Sequence, residues 1–161
     1  MAKKTYIEKL KNDKNLPKIV KLDEKARQKL YAKTMVVPKP MDVYNIMKAV
    51  SEGKLITTAV IRKILAEKYN VDTACPLTTG IFVNISANAS VELHDDMPYW
   101  RTLKTNGKLN PKYPNAPEEQ IALLESEGFE IITKGIKKKR YFVKGYDKYL
   151  VTDKESLEGN I

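Results

Sequence analysis

Cysteine, histidine and tryptophan each occur once in the 161 residues, and that scarcity excludes whole classes of chemistry. The lone Cys75 rules out an internal disulfide. With His94 as the sole histidine, the chain offers no ligand set for a zinc centre, so neither metal nor cofactor is expected. No apolar run approaches the roughly 18 residues of a membrane span. The lysine-rich start also lacks the apolar stretch of a secretory signal. The expectation is a cytoplasmic monomer with no membrane contact, whose 42% hydrophobic content can fill one core of ordinary size.

Negative charge is the other shortage. Lys and Arg outnumber Asp and Glu by 29 to 20, a formal net charge of +9, which favours a polyanionic partner or merely solvates the surface. The excess is blocked rather than even. The first 33 residues hold eleven Lys/Arg against four acids, and Lys134, Lys137, Lys138, Lys139, Arg140, Lys144 and Lys148 form a second block.

Hydrophobic periodicity organises what lies between. Two short helical patterns, one around Tyr6, Ile7 and Leu10 and one from Asp23 to Tyr31, flank Leu16-Pro17, and an extended run Met35-Val36-Val37 ends at Pro38 and Pro40. After Pro40, Val43, Ile46, Met47 and Val50 share a helical face up to Gly53. Thr57 or Thr58 can cap a second helix carrying Val60, Ile61, Ile64 and Leu65. Asp72 or Thr73 can cap a third, with Pro76 in its first turn and Leu77, Ile81, Phe82, Ile85 and Ala89 as its apolar positions. Three helices in about 50 residues, followed by a hairpin turning at Asn106-Gly107, predict a winged helix-turn-helix, mainly α with a small β component. Beyond it, Ile131-Ile132-Thr133 and Tyr141-Phe142-Val143 bracket the lysine block as a basic-tipped strand pair or loop. Asp153 to Glu158 is expected to be a frayed acidic end.

The segment Met97-Pro98-Tyr99-Trp100-Arg101-Thr102 precedes that hairpin, and Glu118 to Gly128 follows it as a Leu-Leu-x-x-Glu-Gly helix. Pro-x-x-Arg, hairpin and helix in this order resemble the active-site region of the O6-alkylguanine-DNA alkyltransferases, the methylated-DNA-protein cysteine methyltransferases, whose motif runs Pro-Cys-His-Arg. The resemblance covers roughly Met41 to Glu130. Gly53-Lys54-Leu55-Ile56-Thr57-Thr58 looks like the entry to the first helix of the family's DNA-binding motif. Cys75 to Ala89 falls where its recognition helix lies, with Gly80 at a family glycine, and Asn88 matches the asparagine joining that helix to the active-site strand. The implied organisation is an N-terminal basic arm (1–40), a winged-helix alkyltransferase-like DNA-binding domain (41–130) and a basic C-terminal extension (131–161).

The departures are chemical. Tyr99 stands where the family has its nucleophilic cysteine, and a phenol of pKa about 10 is almost wholly protonated at neutral pH, so it cannot replace a thiolate. Trp100 replaces the histidine that passes the proton on. The arginine that the family inserts into the base stack falls near Leu77, and its phosphate-rotating tyrosine near Thr58. The resemblance therefore implies the non-catalytic alkyltransferase-like branch, a protein of double-stranded DNA that recognises alkylated guanine or other damaged bases without repairing them. The residues it implies for DNA or base contact are Thr58, Thr78, Thr79, Gly80, Pro98, Tyr99, Trp100 and Arg101, with Asn88 and Glu127 as structural support and none catalytic.

Each assignment has a plainer counterpart. Tyr99 and Trp100 read equally as core aromatics. Thr78 and Thr79 suit any helix start. His94 sits in a solvated linker, and Cys75 reads as a small buried hydrophobe. Two alternative functions stay open: an active methyltransferase using Cys75 as a displaced nucleophile, and a protein-interaction module on the same fold.

Overall fold

Side-chain caps set the first two helices. In the computed structural model, which describes residues 3–157, Thr5 Oγ1 accepts from the Glu8 N–H at 3.1 Å ahead of α1 (Tyr6–Lys11). Asp23 Oδ1 accepts from the Ala26 N–H at 2.8 Å ahead of α2 (Glu24–Leu30). Strands β1 (Lys18–Lys21) and β2 (Thr34–Val37) flank α2 and pair antiparallel, Lys18 opposite Val37 and Lys21 opposite Thr34. Pro40 then opens α3 (Pro40–Lys48), where its missing N–H costs nothing. Asp42 is buried but fully engaged: it accepts from the Lys39 N–H at 3.1 Å, pairs with Lys68 Nζ at 3.0 Å and receives the Tyr69 hydroxyl.

Next come β3 (Ile56–Thr57) and α4 (Thr58–Lys68), with Thr57 as the N-cap, its Oγ1 accepting from the Val60 N–H at 3.4 Å. The third helix of the motif, α5 (Pro76–Leu93), starts differently from expectation. Cys75, not Asp72 or Thr73, occupies its N-cap position. The reason is that Thr73–Ala74 form β4, which pairs parallel with β2, while the Asp72 carboxylate turns back to accept from the Lys33 and Thr34 N–H groups at 2.9 and 3.2 Å.

Those two amides favour the ionised form and hold the Asp72 carboxyl below its ordinary range. Because the folded value lies below the unfolded one, this contribution is complete above about pH 4 and is lost as pH falls through the lower folded value. Amide exchange at Lys33 and Thr34, corrected for intrinsic rate, is expected to accelerate over that acid range and also in Asp72→Ala at neutral pH. Unchanged protection in the variant would mean that the strand ladder alone holds the hairpin base.

The buried side of α5 is another departure. Leu77 and Ile81, two of the five apolar positions read at helical spacing, are 74% and 46% exposed, whereas Thr79, Val83, Ser86, Ala87, Ala89 and Ser90 are buried. Small residues on the inner face let α1, α3 and α4 approach a central helix closely. The main core gathers Leu10, Val36, Val43, Ile46, Met47, Ile61, Ile64, Leu65 and Val83 around it. A smaller cluster of Leu55, Leu103, Leu109, Leu124, Phe129 and Val143 lies under α6 (Glu118–Ser126) and the antiparallel pair β6 (Ile131–Lys134) and β7 (Arg140–Val143).

Between these clusters, β5 (Thr102–Leu103) pairs parallel with β3. The chain then turns at Asn106-Gly107, both with positive φ of 69° and 78°. Gly107 is required there twice over, since a Cβ would also overlap the Tyr146 ring. The Lys104 N–H closes this turn on the Lys108 carbonyl at 2.8 Å, and the returning chain bridges to β7. Residues 153–157 are not frayed: Asp153 caps a 3-10 turn, and Leu157 packs into the main core. Glu158 lies outside the described residues. The molecule is thus mainly α with small sheets, and α4, the intervening turn and α5 form a helix-turn-helix. No helix among the described residues is long and apolar enough to cross a membrane.

Candidate nucleic-acid interface

The outer faces of α4 and α5 and the turn after β5 enclose a groove of about 350 Å³. Thr58 and Arg62, one helical turn apart on α4, form one wall; Leu77, Gly80, Ile81 and Asn84 on α5 form another; Lys104, Thr105, Asn110 and Lys112 close the third side. Gly80 leaves this surface open, with nothing within 4 Å of the position a Cβ would take. The polar floor is internally satisfied. Asn110 Nδ2 donates to Asn84 Oδ1 at 2.7 Å, the Asn110 N–H donates to Gln120 Oε1 at 3.1 Å, and Gln120 Nε2 reaches the Trp100 carbonyl at 3.1 Å. Asn88 Nδ2 donates to the Asn84 carbonyl at 2.8 Å and the Lys112 carbonyl at 3.4 Å, tying α5 to the loop that bears Lys112.

Arg62 is held in place, Nε donating to the Ala74 carbonyl at 3.0 Å and Nη2 to Thr73 Oγ1 at 3.1 Å. Burial lowers its pKa, and the neighbouring Cys75 acts in the opposite direction. A second hollow of about 200 Å³, lined by Lys108, Lys138, Lys139, Arg140 and Tyr141, adjoins the groove at Asn110. Among the described residues, seven cationic side chains therefore line the two depressions, and no Asp or Glu lines either. The basic tip of the β6–β7 pair and the helix-turn-helix, separated by about 40 residues in sequence, meet on one surface.

The Pro98–Arg101 motif is built on a 3-10 turn at Tyr99–Arg101, and its side chains do not share one destination. Tyr99 is 4% exposed, edge-on to Trp100 at 5.5 Å and to Tyr113 at 5.3 Å between ring centres. Its hydroxyl has no hydrogen-bond partner among the described residues. Burial, and secondarily the Glu119 carboxylate, push this phenol up from its ordinary pKa, so it stays protonated. Arg101 and Trp100 both turn to Glu127. Arg101 Nε lies 3.0 Å from each carboxylate oxygen, Trp100 Nε1 donates to Oε2, and the Gly53 N–H donates to Oε1 at 3.0 Å. Arg101 Nη1 adds a bond to the Val50 carbonyl at 2.8 Å, so one carboxylate locks the motif to the α3–β3 loop.

The predicted contact residues consequently divide. Thr58 and Gly80 line the groove. Pro98, Trp100 and Arg101 line a separate, open hollow of about 510 Å³ that also carries Glu52 and Asp96. Thr79 is fully buried with a hydroxyl that has no partner among the described residues, and Thr78 donates to Cys75 Sγ at 3.1 Å. Sequence reasoning missed Arg62, Asn84, Lys104, Asn110 and Lys112. The spacing of Thr58 to Arg62 and of Gly80 to Asn84 was the available signal for the first two. Among the described residues, no three His, Cys, Asp or Glu side chains cluster as a metal site.

Helices α4 and α5 with their short turn define a helix-turn-helix protein. No protein-family model matches the chain, and no curated protein matches its sequence. Two solved structures are similar. The crystal structure of S. pombe ATL in complex with DNA is 17% identical over 70% of this chain and 93% of that one, with a TM-score of 0.52. S. pombe Atl1 in complex with damaged DNA containing O6-carboxymethylguanine is 19% identical with the same coverage and a TM-score of 0.49. The chain shares the fold of the S. pombe ATL protein.

Proposed function

We propose that this chain binds duplex DNA through the α4–α5 groove and its cationic rim, and that it transfers no alkyl group. The observation that carries this reading is the surface around the outer face of a helix-turn-helix that, among the described residues, seven cations and no acid line, where the first turns of α5 stand exposed. Phosphates are attracted to such a rim whatever the sequence, and Leu77 and Ile81 offer apolar contact to bases. The fold likeness to a protein crystallised with DNA supports the same reading. A preference for alkylated guanine is the finer part of the proposal and rests on the Pro98-x-x-Arg101 resemblance. Tyr99, buried and protonated, offers no nucleophile.

Titration against matched duplexes with and without O6-methylguanine, at two salt concentrations, tests the proposal. Binding that weakens steeply with salt supports the interface, and tighter binding to the alkylated duplex supports damage recognition. After incubation the intact protein mass is expected to be unchanged, and Tyr99→Cys should not gain activity because the site is sealed and Trp100 relays no proton. A mass increase of one alkyl group on Cys75 would instead make the chain a methyltransferase. Absence of DNA affinity at low salt would leave the exposed Leu77–Ile81 face as a protein-docking surface.

A further inference from the structure

Beyond Val36, which packs in the main core, and the buried Ala32, the β1–α2–β2 excursion is a surface that neither the core nor the groove accounts for. No residue of α2 is buried, Ile19 on the edge strand is 53% exposed and Tyr31 is 95% exposed. Residues 18–33 nevertheless carry Lys18, Lys21, Lys25, Arg27, Lys29 and Lys33, all at least partly exposed, against Asp23 and Glu24 alone. Asp23 is already committed to capping α2, and Glu24 sits in the first turn of that helix. A segment with so little to contribute to folding and so much charge of one sign is built for an anionic partner.

Its attachment says where that partner lies. The Lys33 and Thr34 amides and Asp72 interlock, with the Asp72 N–H donating back to Thr34 Oγ1 at 3.1 Å, and the Cys75 N–H donates to the Val36 carbonyl at 2.9 Å. The excursion is therefore fastened to the turn between α4 and α5, immediately before the exposed start of α5. Arg62 and Ala59 line both the groove and the shallow hollow that runs past Lys63, Glu67, Asp72 and Thr73 to this base, so the surface continues from one to the other.

We infer that the β1–α2–β2 hairpin binds the DNA backbone at a second place, flanking the stretch of duplex that the α4–α5 groove engages. This rests on the DNA-binding reading above. The hairpin reads no sequence; it engages further phosphates and lengthens the footprint beyond what the helix-turn-helix covers.

The test compares the full chain with Lys25→Gln/Arg27→Gln/Lys29→Gln, a variant placed on a helix with no buried residue so that folding is preserved, as circular dichroism will verify. Each is titrated against undamaged duplexes of about one and about two helical turns (~10 and ~20 base pairs) over a range of salt. On the longer duplex, the variant's dependence of log K on log salt is expected to be shallower by up to about 0.9 for each phosphate the hairpin no longer neutralises. On the shorter duplex, where the hairpin finds no phosphates, the two proteins should bind alike. Equal slopes on the longer duplex, with the intact protein binding it, would overturn the role of the hairpin and leave the groove reading standing. An equal weakening on both lengths would also overturn it, showing a general charge effect rather than a flanking site. An intact protein that binds neither duplex would remove the groove reading and the hairpin site together.

Discussion

Replacing Glu127 with alanine is expected to cost about 3 to 5 kcal/mol of folding stability, because it strips a buried cation of its partner. The Glu127 side chain is 7% exposed and that of Arg101 is 14% exposed, so water reaches the guanidinium only from the open hollow that Arg101 also lines. Trp100 Nε1 and the Gly53 N–H lose their acceptor in the same step. A loss of that size lowers Tm by about 6 to 20 °C in a domain this large. Glu127→Gln keeps one acceptor oxygen but replaces the other with an NH2 donor and removes the charge, so it should fall between wild type and alanine. Thermal or urea denaturation checks both variants. A cost below about 1 kcal/mol for the alanine variant, at the level of an exposed ion pair, would show that the α3–β3 loop and the Pro98 turn are held by packing alone.

This cluster also illustrates what a sequence discloses. Pro98, Arg101 and Glu127 are recognisable as a spaced pattern, and a role in support for the glutamate was inferable because a carboxylate suits an arginine better than a phosphate. Its partners were not. Trp100 Nε1, the Gly53 amide and the Val50 carbonyl converge through a packing of α3, the 3-10 turn and α6 that no local period encodes. Helices α3, α4 and α6 were legible because their apolar residues repeat along a face and Pro40 or Thr57 marks a start.

Helix α5 was legible as a helix and misleading as to its orientation. Apolar spacing put Leu77 and Ile81 in one series with Phe82, Ile85 and Ala89, yet the helix, surrounded by three others, turns its small residues and Val83 inward, packs Phe82 and Ile85 against the core and leaves Leu77 and Ile81 outside. Strand β4 was invisible because two residues have no periodicity, and its pairing with β2 spans nearly 40 positions. The buried state of Tyr99 was one of two open readings. The edge-on packing against Tyr113 decides it, and that packing depends on how the loop between β5 and α6 folds back. The groove itself required three distant segments to meet, so only its walls on α4 and α5 had any signature.

Neutralising Lys108, Lys138, Lys139 and Arg140 together is the change expected to affect DNA binding most, since these four line one hollow beside the groove. If each meets a phosphate, the slope of log K against log salt should become shallower by up to about 3.6, four phosphates at about 0.9 each. Affinity at low salt should fall similarly for normal and alkylated duplexes, because a bond to phosphate carries no base information. Net charge alone would predict the same loss from any four lysines or arginines, so the control must sit elsewhere on the molecule. Lys9 and Lys11 on α1 meet that requirement. The amides of Tyr6 and Ile7 donate to Glu92 near the last turn of α5, which fastens α1 to the end of that helix remote from the groove. Lys9→Gln/Lys11→Gln should leave the slope unchanged after allowing for two fewer charges in a background of +9. Losses from rim and control in proportion to the four and two charges removed would reduce the interface to diffuse attraction. A selective loss at the rim, with the fold intact by circular dichroism, is what a docked duplex requires.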